Sequence, residues 1–292
     1  MRERGPPASR DPGELLSFGV VNLDKPPGPS AHQVAAWVRD AAGVERAAHA
    51  GTLDPKVTGC LPVLTGDATR VAQVFDDSRK GYVAVLELHA PLSADFESTL
   101  AEFEGPLYQK PPRKSAVARR LRTRAVHRLE AVETEQRRVL LDIECESGTY
   151  VRKLCHDLGL ALGTGAHMGA LRRRRTGDFD DPSLVTLHDL ADGLAFWRED
   201  GDPELLREVV QPAERALKGL PSLTVAPSAA REIATGAQVY APGVVESDLA
   251  GAEQGALVAC YTPDGAAVCL GHLAGDPAAS EGLVVELERV LV

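Results

Sequence analysis

The sequence predicts an α/β protein in two parts, a large mixed-sheet domain followed by a small β-rich domain. Three observations carry this. Residues 18–210 alternate strand-like apolar runs with helix-like periodic segments. After Leu223 the texture changes to short apolar runs (Gly255–Tyr261, Ala266–Leu273, Leu283–Val292) separated by glycine, proline and aspartate. A chain of 292 residues, 44% hydrophobic, is long enough for one large domain or two ordinary ones. The expected boundaries are a flexible leader over 1–17, a first domain over 18–210, a linker over 211–221 and a second domain over 222–292.

Each element follows from local pattern. Phe18–Leu23 reads as a buried strand entering the rigid loop Asp24-Lys25-Pro26-Pro27-Gly28-Pro29. Ser30 is a helix N-cap, Val34, Val38 and Ala41 share one face, and Gly43 ends the helix. Asp67 is expected to cap a second helix carrying Val71, Val74 and Phe75. Lys80–Leu88 is rich in β-formers and reads as a central strand. Phe96, Leu100 and Phe103 fall at helical spacing, which predicts an amphipathic helix over Ser93–Glu104. Val126–Val132 and Val139–Cys145 form an expected hairpin, with Leu141, Ile143 and Cys145 facing one side. Val151, Leu154, Cys155, Leu158 and Leu162 mark the next helix. Thr186 and Asp189 make a capping-box start for a helix reaching Trp197. Pro212 and Pro221 flank a short helical stretch.

Composition narrows the function. The N-terminus lacks the apolar core of a secretory signal, and no run is long enough to cross a bilayer, so a cytoplasmic protein is expected. Five cysteines without a C-x-x-C pair argue against a disulfide framework and a cysteine-rich zinc site; no metal is expected. The net charge of −10 disfavours nucleic acid as an average. Lysine is scarce beside arginine and acids are spread along the chain, a pattern of adaptation to a salty cytoplasm. Two segments oppose the average. Lys110, Arg113, Lys114, Arg119, Arg120, Arg122 and Arg124 share a stretch with no acid, and Arg172–Arg175 is uninterrupted. Both are read as polyanion contacts.

The heptapeptide His49-Ala50-Gly51-Thr52-Leu53-Asp54-Pro55 carries the chemistry. Gly51 permits close backbone approach, and Pro55 pushes Asp54 out of helical geometry. One acid is thereby held on a stiff turn, as a carboxylate nucleophile requires. An ordinary Asp-Pro turn is the plain alternative. Likewise, Tyr82 alone could be a strand aromatic, Arg152 a surface cation and His49 a turn histidine.

Four segments taken together go further. They are Asn22–Ser30, His49–Gly59, Lys80-Gly81-Tyr82 and Gly148-Thr149-Tyr150-Val151-Arg152-Lys153-Leu154. Their order and content resemble the TruB family of RNA pseudouridine synthases. Lys110–Arg124 and Leu171-Arg172-Arg173-Arg174-Arg175-Thr176-Gly177 resemble its archaeal and eukaryotic branch, the dyskerin-like catalytic subunit of H/ACA guide-RNA particles. The likeness runs from about Phe18 to the C-terminus and includes haloarchaeal features. It implies an α+β mixed-sheet pseudouridine synthase catalytic domain and a C-terminal PUA domain.

By this resemblance Asp54 attacks the target nucleotide, Tyr82 stacks on the flipped uracil and assists proton removal from C5, and Arg152 pairs with the aspartate. His49 helps displace the base, Lys25 and Pro26 support the turn that also contains Gly51 and Thr52, and Leu171 lines the base pocket. Lys110, Arg113, Lys114, Arg119, Arg120 and Arg122 contact RNA. Thr235–Gly243, with Gly236, Pro242 and Gly243, matches the glycine-rich PUA element that holds the ACA end of a guide. The family more often has glycines where Ala48 and Ala50 flank the histidine, so a local backbone difference is expected there.

The implied reaction is uridine to pseudouridine in RNA, which needs no cofactor; no P-loop, dinucleotide fingerprint or HExxH is present. A guanidinium beside the carboxylate favours its ionised form. The target base must leave its stack, and an aromatic face recovers part of that cost. Implied partners are guide RNA, rRNA, the tRNA T-loop as a second target, and three small proteins: a kink-turn binder, a zinc-ribbon-like peptide and a β-barrel turnover protein. The rival readings are a stand-alone tRNA T-loop synthase and a non-catalytic RNA-binding scaffold.

Overall fold

In a computed structural model, residues 4–111, 118–249 and 251–292 are described. Strands and helices alternate through the first two-thirds of the chain. They are α1 (Pro12–Ser17), β1 (Phe18–Lys25), α2 (Ala31–Ala42), β2 (Ala47–His49), β3 (Thr58–Gly66), β4 (Lys80–Leu88) and α3 (Phe96–Ala101). They continue as β5 (Gly105–Gln109), β6 (Arg122–Glu135), β7 (Arg138–Cys145), α4 (Val151–Ala161), β8 (Ala166–Thr176), β9 (Phe179–Asp180), α5 (Leu187–Ala195), α6 (Glu204–Val209) and β10 (Gln211–Pro212). Among the described residues these strands form one ten-stranded sheet with the path β10-β1-β3-β8-β4-β7-β6-β5, β2 pairing with β3 and β9 with β8. Only β3 and β8 run parallel, so the sheet is mixed.

A six-stranded second sheet follows, ordered β12-β16-β15-β14-β11-β13. It is built from β11 (Ser222–Val225), β12 (Val239–Tyr240), β13 (Val244–Asp248), β14 (Leu257–Tyr261), β15 (Ala267–Leu273) and β16 (Leu283–Val290), with α7 (Pro227–Ala234) packed on it. This is the small β-rich part that the short apolar runs predict, and it fits the PUA domain that the resemblance implies.

Local chemistry explains the ends. Ser30 and Gln33 form a capping box on α2, and Gly43 stops it at φ 72°. Thr186 and Asp189 cap α5 reciprocally. Leu141, Ile143 and Cys145 are fully buried on β7, one side of a period-two pattern. Val34 and Val38 of α2, Leu154 and Leu158 of α4 and Leu190 of α5 cover the large sheet. A second cluster joins the two sheets: Phe18, Val20 and Leu64 meet Ala259, Leu270 and Leu291.

Several expectations are corrected. Residues 4–17 are not a loose leader. Asp11 caps α1 through the backbone of Gly13 and Glu14, Leu15 and Leu16 are buried, and Arg10 is 1% exposed in a two-pronged bond with Glu214. That glutamate sits in the segment expected as a linker, which instead packs Ala213 and Leu217 into the core between the sheets. Asp67 is not a cap: Gly66 takes that position, and Asp67–Phe75 is a 3-10 helix. Asp67 is drawn instead to Arg4 and Arg46. The helix expected over Ser93–Glu104 shrinks to α3, and the α5 helix ends at Ala195, with Trp197 in a π-turn. The strand expected from Val126 begins at Arg122, so the basic segment runs into the sheet.

Candidate active site on the β2–β3 hairpin

The heptapeptide is the loop of a hairpin. His49 pairs with Val63 at the end of β2, and the chain returns into β3 at Thr58. Three apolar side chains of the loop, Ala50, Leu53 and Val57, are buried, so Thr52, Asp54 and Pro55 are turned outward. Gly51 carries φ +86°, while Ala48 and Ala50 stay out of the left-handed region, so the alanines cause no strain. A Cβ on Gly51 would meet the Arg173 guanidinium at 3.3 Å.

Two buried cations hold this loop from behind. Lys25, fully buried at the end of β1, donates to the carbonyls of Pro26, Pro55 and Val57 at 2.9, 3.1 and 2.9 Å. Arg173, 1% exposed on β8, donates to Cys60 O at 2.7 Å and to Ala50 O and Gly51 O at 3.3 and 3.2 Å. No carboxylate pairs with either cation among the described residues; carbonyl dipoles satisfy both. Burial lowers the Lys25 ammonium below its ordinary range.

Asp54 is ion-paired with Arg152, both side chains being about half exposed. Arg152 lies in the first turn of α4, just after the Gly148-Thr149-Tyr150 turn. Buried Gln109 fixes that turn by accepting from Tyr150 N at 2.9 Å and donating to Tyr150 O at 3.3 Å. Gly148 takes φ +79° beneath the Arg124 guanidinium.

Tyr82 stands on β4 opposite Arg173 of β8 and Ile143 of β7. A bulge between Gly81 and Tyr82 resets the β4–β8 register at this point. Burial pushes the Tyr82 phenol up, while the Arg173 guanidinium, within hydrogen-bonding reach, pulls the other way. Leu171 follows two residues earlier on β8, half-buried against the same core. Lys80, also buried, donates to Phe75 O at 3.0 Å and to the Ser78 hydroxyl; burial and then Arg173 push it down to about 8.

His49 faces His32 of α2, with Nε2 and Nδ1 3.4 Å apart and the rings edge to face. Its pKa is pushed down to about 4, first by burial, then by His32 and Arg173. The ring is therefore neutral at physiological pH. His49 Nδ1 is buried without a hydrogen-bond partner.

The structure thus gathers Lys25, Pro26, His49, Gly51, Thr52, Asp54 and Arg152 at one hairpin loop, which Arg173 links to Tyr82, with Leu171 two residues before Arg173 on β8. Lys110, Arg119 and Arg120 are exposed and Arg122 is half-buried on β6 beside Gln109, the residue that fixes the Arg152 turn. Arg113 and Lys114 lie outside the described residues. Gly236 lies in the turn after α7, and Pro242 and Gly243 in a 3-10 turn between β12 and β13; Gly236 has φ +102°, Pro242 is exposed and Gly243 packs against Ala229.

The Arg172–Arg175 block is not a free cationic surface. Arg172 pairs with Asp24 and Asp181, Arg174 with Asp142 and Arg175 with Glu144, while Arg173 points inward. Carboxylates of β1, β7 and the chain after β9 neutralise Arg172, Arg174 and Arg175, and the bulge between Gly81 and Tyr82 breaks simple alternation between Arg173 and Arg175. Gln109 and His32 were not singled out from the sequence, and Arg173 and Lys80 only as members of the arginine block and of the Lys80-Gly81-Tyr82 segment.

Three family models match this chain: the TruB family pseudouridylate synthase N-terminal domain over 39–95, the tRNA pseudouridylate synthase B C-terminal domain over 152–218, and the DKCLD domain over 4–35. A probable tRNA pseudouridine synthase B of Haloarcula marismortui is 64% identical over 297 residues, covering all of this chain and 94% of the relative. The solved structure of a Cbf5-Nop10-Gar1 complex contains a chain that superposes with a TM-score of 0.92 at 44% identity, covering 99% of this chain and 90% of that one. An H/ACA ribonucleoprotein bound to a substrate RNA containing 2'-deoxyuridine contains another, with a TM-score of 0.92, 42% identity and the same coverage. No helix among the described residues is long and apolar enough to cross a membrane.

Proposed function

The chain belongs to the TruB family of pseudouridine synthases, and we propose that Asp54 is its nucleophile and that a guide RNA selects its targets. The observation that carries this is the outward-facing Asp54, paired with Arg152 on a loop braced by two buried cations.

The geometry suits the isomerisation. The Asp54 carboxylate attacks the target nucleotide, and Arg152 orients it through a charge-assisted bond. The N1–C1′ bond breaks, the uracil turns, and C5 bonds to C1′, displacing the Asp54 carboxylate so that the bond formed in the attack is broken again. The C5 proton leaves and N1 gains one, so atoms and electrons balance without a redox partner. Tyr82 presents an aromatic face to the extruded base and a phenol oxygen to the departing proton. Leu171 closes the apolar side of the pocket. Neutral His49 helps displace the base, since an uncharged ring costs little to bury. Lys25, Pro26, Gly51 and Thr52 keep the loop in shape.

Guide dependence rests on likeness to chains solved with Nop10 and Gar1 and within an H/ACA particle. This chain is read as binding a guide through turns beside the second sheet, at Gly236, Pro242 and Gly243, and through Lys110, Arg113, Lys114, Arg119, Arg120 and Arg122. Three small proteins complete the particle, and rRNA is the main target. Action on a tRNA T-loop is the second reading, favoured by the names of the curated relatives. We read the protein as acting in the cytoplasm. Tritium release from RNA carrying 5-³H-uridine separates the readings. Release only with guide and partners supports guided action. Release from bare tRNA by the protein alone supports the second reading. No release in either arrangement, with RNA bound, would contradict both.

A further inference from the structure

A cleft of about 440 Å³ opens beside the catalytic hairpin, between the two sheets. Its walls include His49 and Gly51 of the hairpin, Arg46 just before β2, Arg70 of the 3-10 helix and Arg289 of β16. The cleft therefore reaches from the nucleophile's loop to the second sheet.

Its charge is organised rather than scattered. Asp67 accepts from Arg4 and Arg46 at 2.9 Å each and lies 3.6 Å from Arg70. One carboxylate thus gathers three guanidiniums from three parts of the chain. Arg70 also donates to Val290 O at 3.2 Å, and Gln73 to Glu288 at 3.0 Å, so the second sheet is pinned across the cleft. Arg289 is exposed and has no acid or acceptor partner among the described residues. Counting Asp67, Asp76 and Glu288 against Arg4, Arg46, Arg70 and Arg289, the junction keeps one positive charge in excess, inside a chain of net charge −10.

We infer that this junction is a phosphate-binding site, in which Arg289, Arg46 and Arg70 grip a backbone phosphodiester of the RNA that runs from the Asp54 loop to the second sheet. Guanidinium forks match phosphate oxygens in pairs, and one phosphodiester cancels the excess charge. The open, polar walls suit a backbone better than a base. The inference rests on the RNA substrate of the proposed function and adds where the strand is held.

Filter binding tests it, with Arg289→Ala and with Arg289→Ala/Arg46→Gln, across a KCl series. Arg289 has no partner to lose, so the single variant should keep the wild-type melting temperature. The RNAs are an H/ACA guide alone, a target strand annealed to that guide, and a tRNA T-arm. The site predicts about tenfold weaker binding for Arg289→Ala and a salt slope shallower by about one. A loss already seen with guide alone assigns the phosphate to the guide; a loss confined to one target RNA assigns it to that strand. Unchanged affinity and slope for every RNA that the wild type binds would overturn the site. Failure of the wild type to bind any of them would overturn the RNA reading itself, and the site with it.

Discussion

Arg173 stands opposite Tyr82 across the β4–β8 ladder, and its guanidinium reaches past it to the carbonyls of Ala50 and Gly51. One buried side chain thereby ties the aromatic wall of the site to the loop that carries Asp54. Its burial is tolerated because carbonyl oxygens take up its donors.

Arg173→Met should therefore cost about 2–4 kcal/mol of stability, since three carbonyls lose their shared donor. Tritium release should fall more steeply than stability alone explains. Arg173→Lys should recover part of the stability but little of the rate, because a point cation cannot span the same acceptors. Urea titration alongside tritium release checks both. An Arg173→Lys rate equal to wild type would contradict the tie.

The histidine beside the nucleophile gives a pH signature. His49 titrates near 4 in the fold against 6.5 unfolded, so between those values the unfolded chain binds more protons. Stability should rise with pH across that window and be lost as pH falls from 6.5 towards 4. His49→Gln should flatten that part of the curve. Denaturation at several pH values, wild type against variant, decides it; parallel curves would rule His49 out as the source.

Arg10 and Glu214 form a buried pair at 2.8 and 2.6 Å, and Glu214 also accepts from Ala267 N on β15 at 3.0 Å. The pair joins the N-terminal segment, the chain between the sheets, and the second sheet. Arg10→Met alone should destabilise by about 3–5 kcal/mol, because Glu214 would be left charged and buried. Adding Glu214→Gln should recover much of that loss. Equal melting temperatures for Arg10→Met and wild type would show that the pair does not join these parts.

The two-part α/β architecture was legible because strands and capped helices have strong local periods. The Ser30 N-cap and the Thr186 capping box are sequence-local features, and each appears where the sequence predicts it. The pairing of Asp54 with Arg152 could be anticipated only through linked motifs, since almost a hundred residues separate the two. Charge counting failed on Arg172–Arg175, where partners come from β1, β7 and the chain after β9. Local composition failed on residues 4–17, whose order depends on Glu214 and Asp67, far along the chain. In both cases a long-range ion pair, invisible to a local window, decides the structure.

The most direct test of the account is tritium release by Asp54→Asn, with RNA affinity measured on the same preparation. Asparagine keeps the shape and removes the charge that attacks. The account predicts a rate at least about 10⁴-fold below wild type, with RNA affinity within about twofold. A variant that turns over within tenfold of wild type while binding RNA normally would show that Asp54 is not the nucleophile.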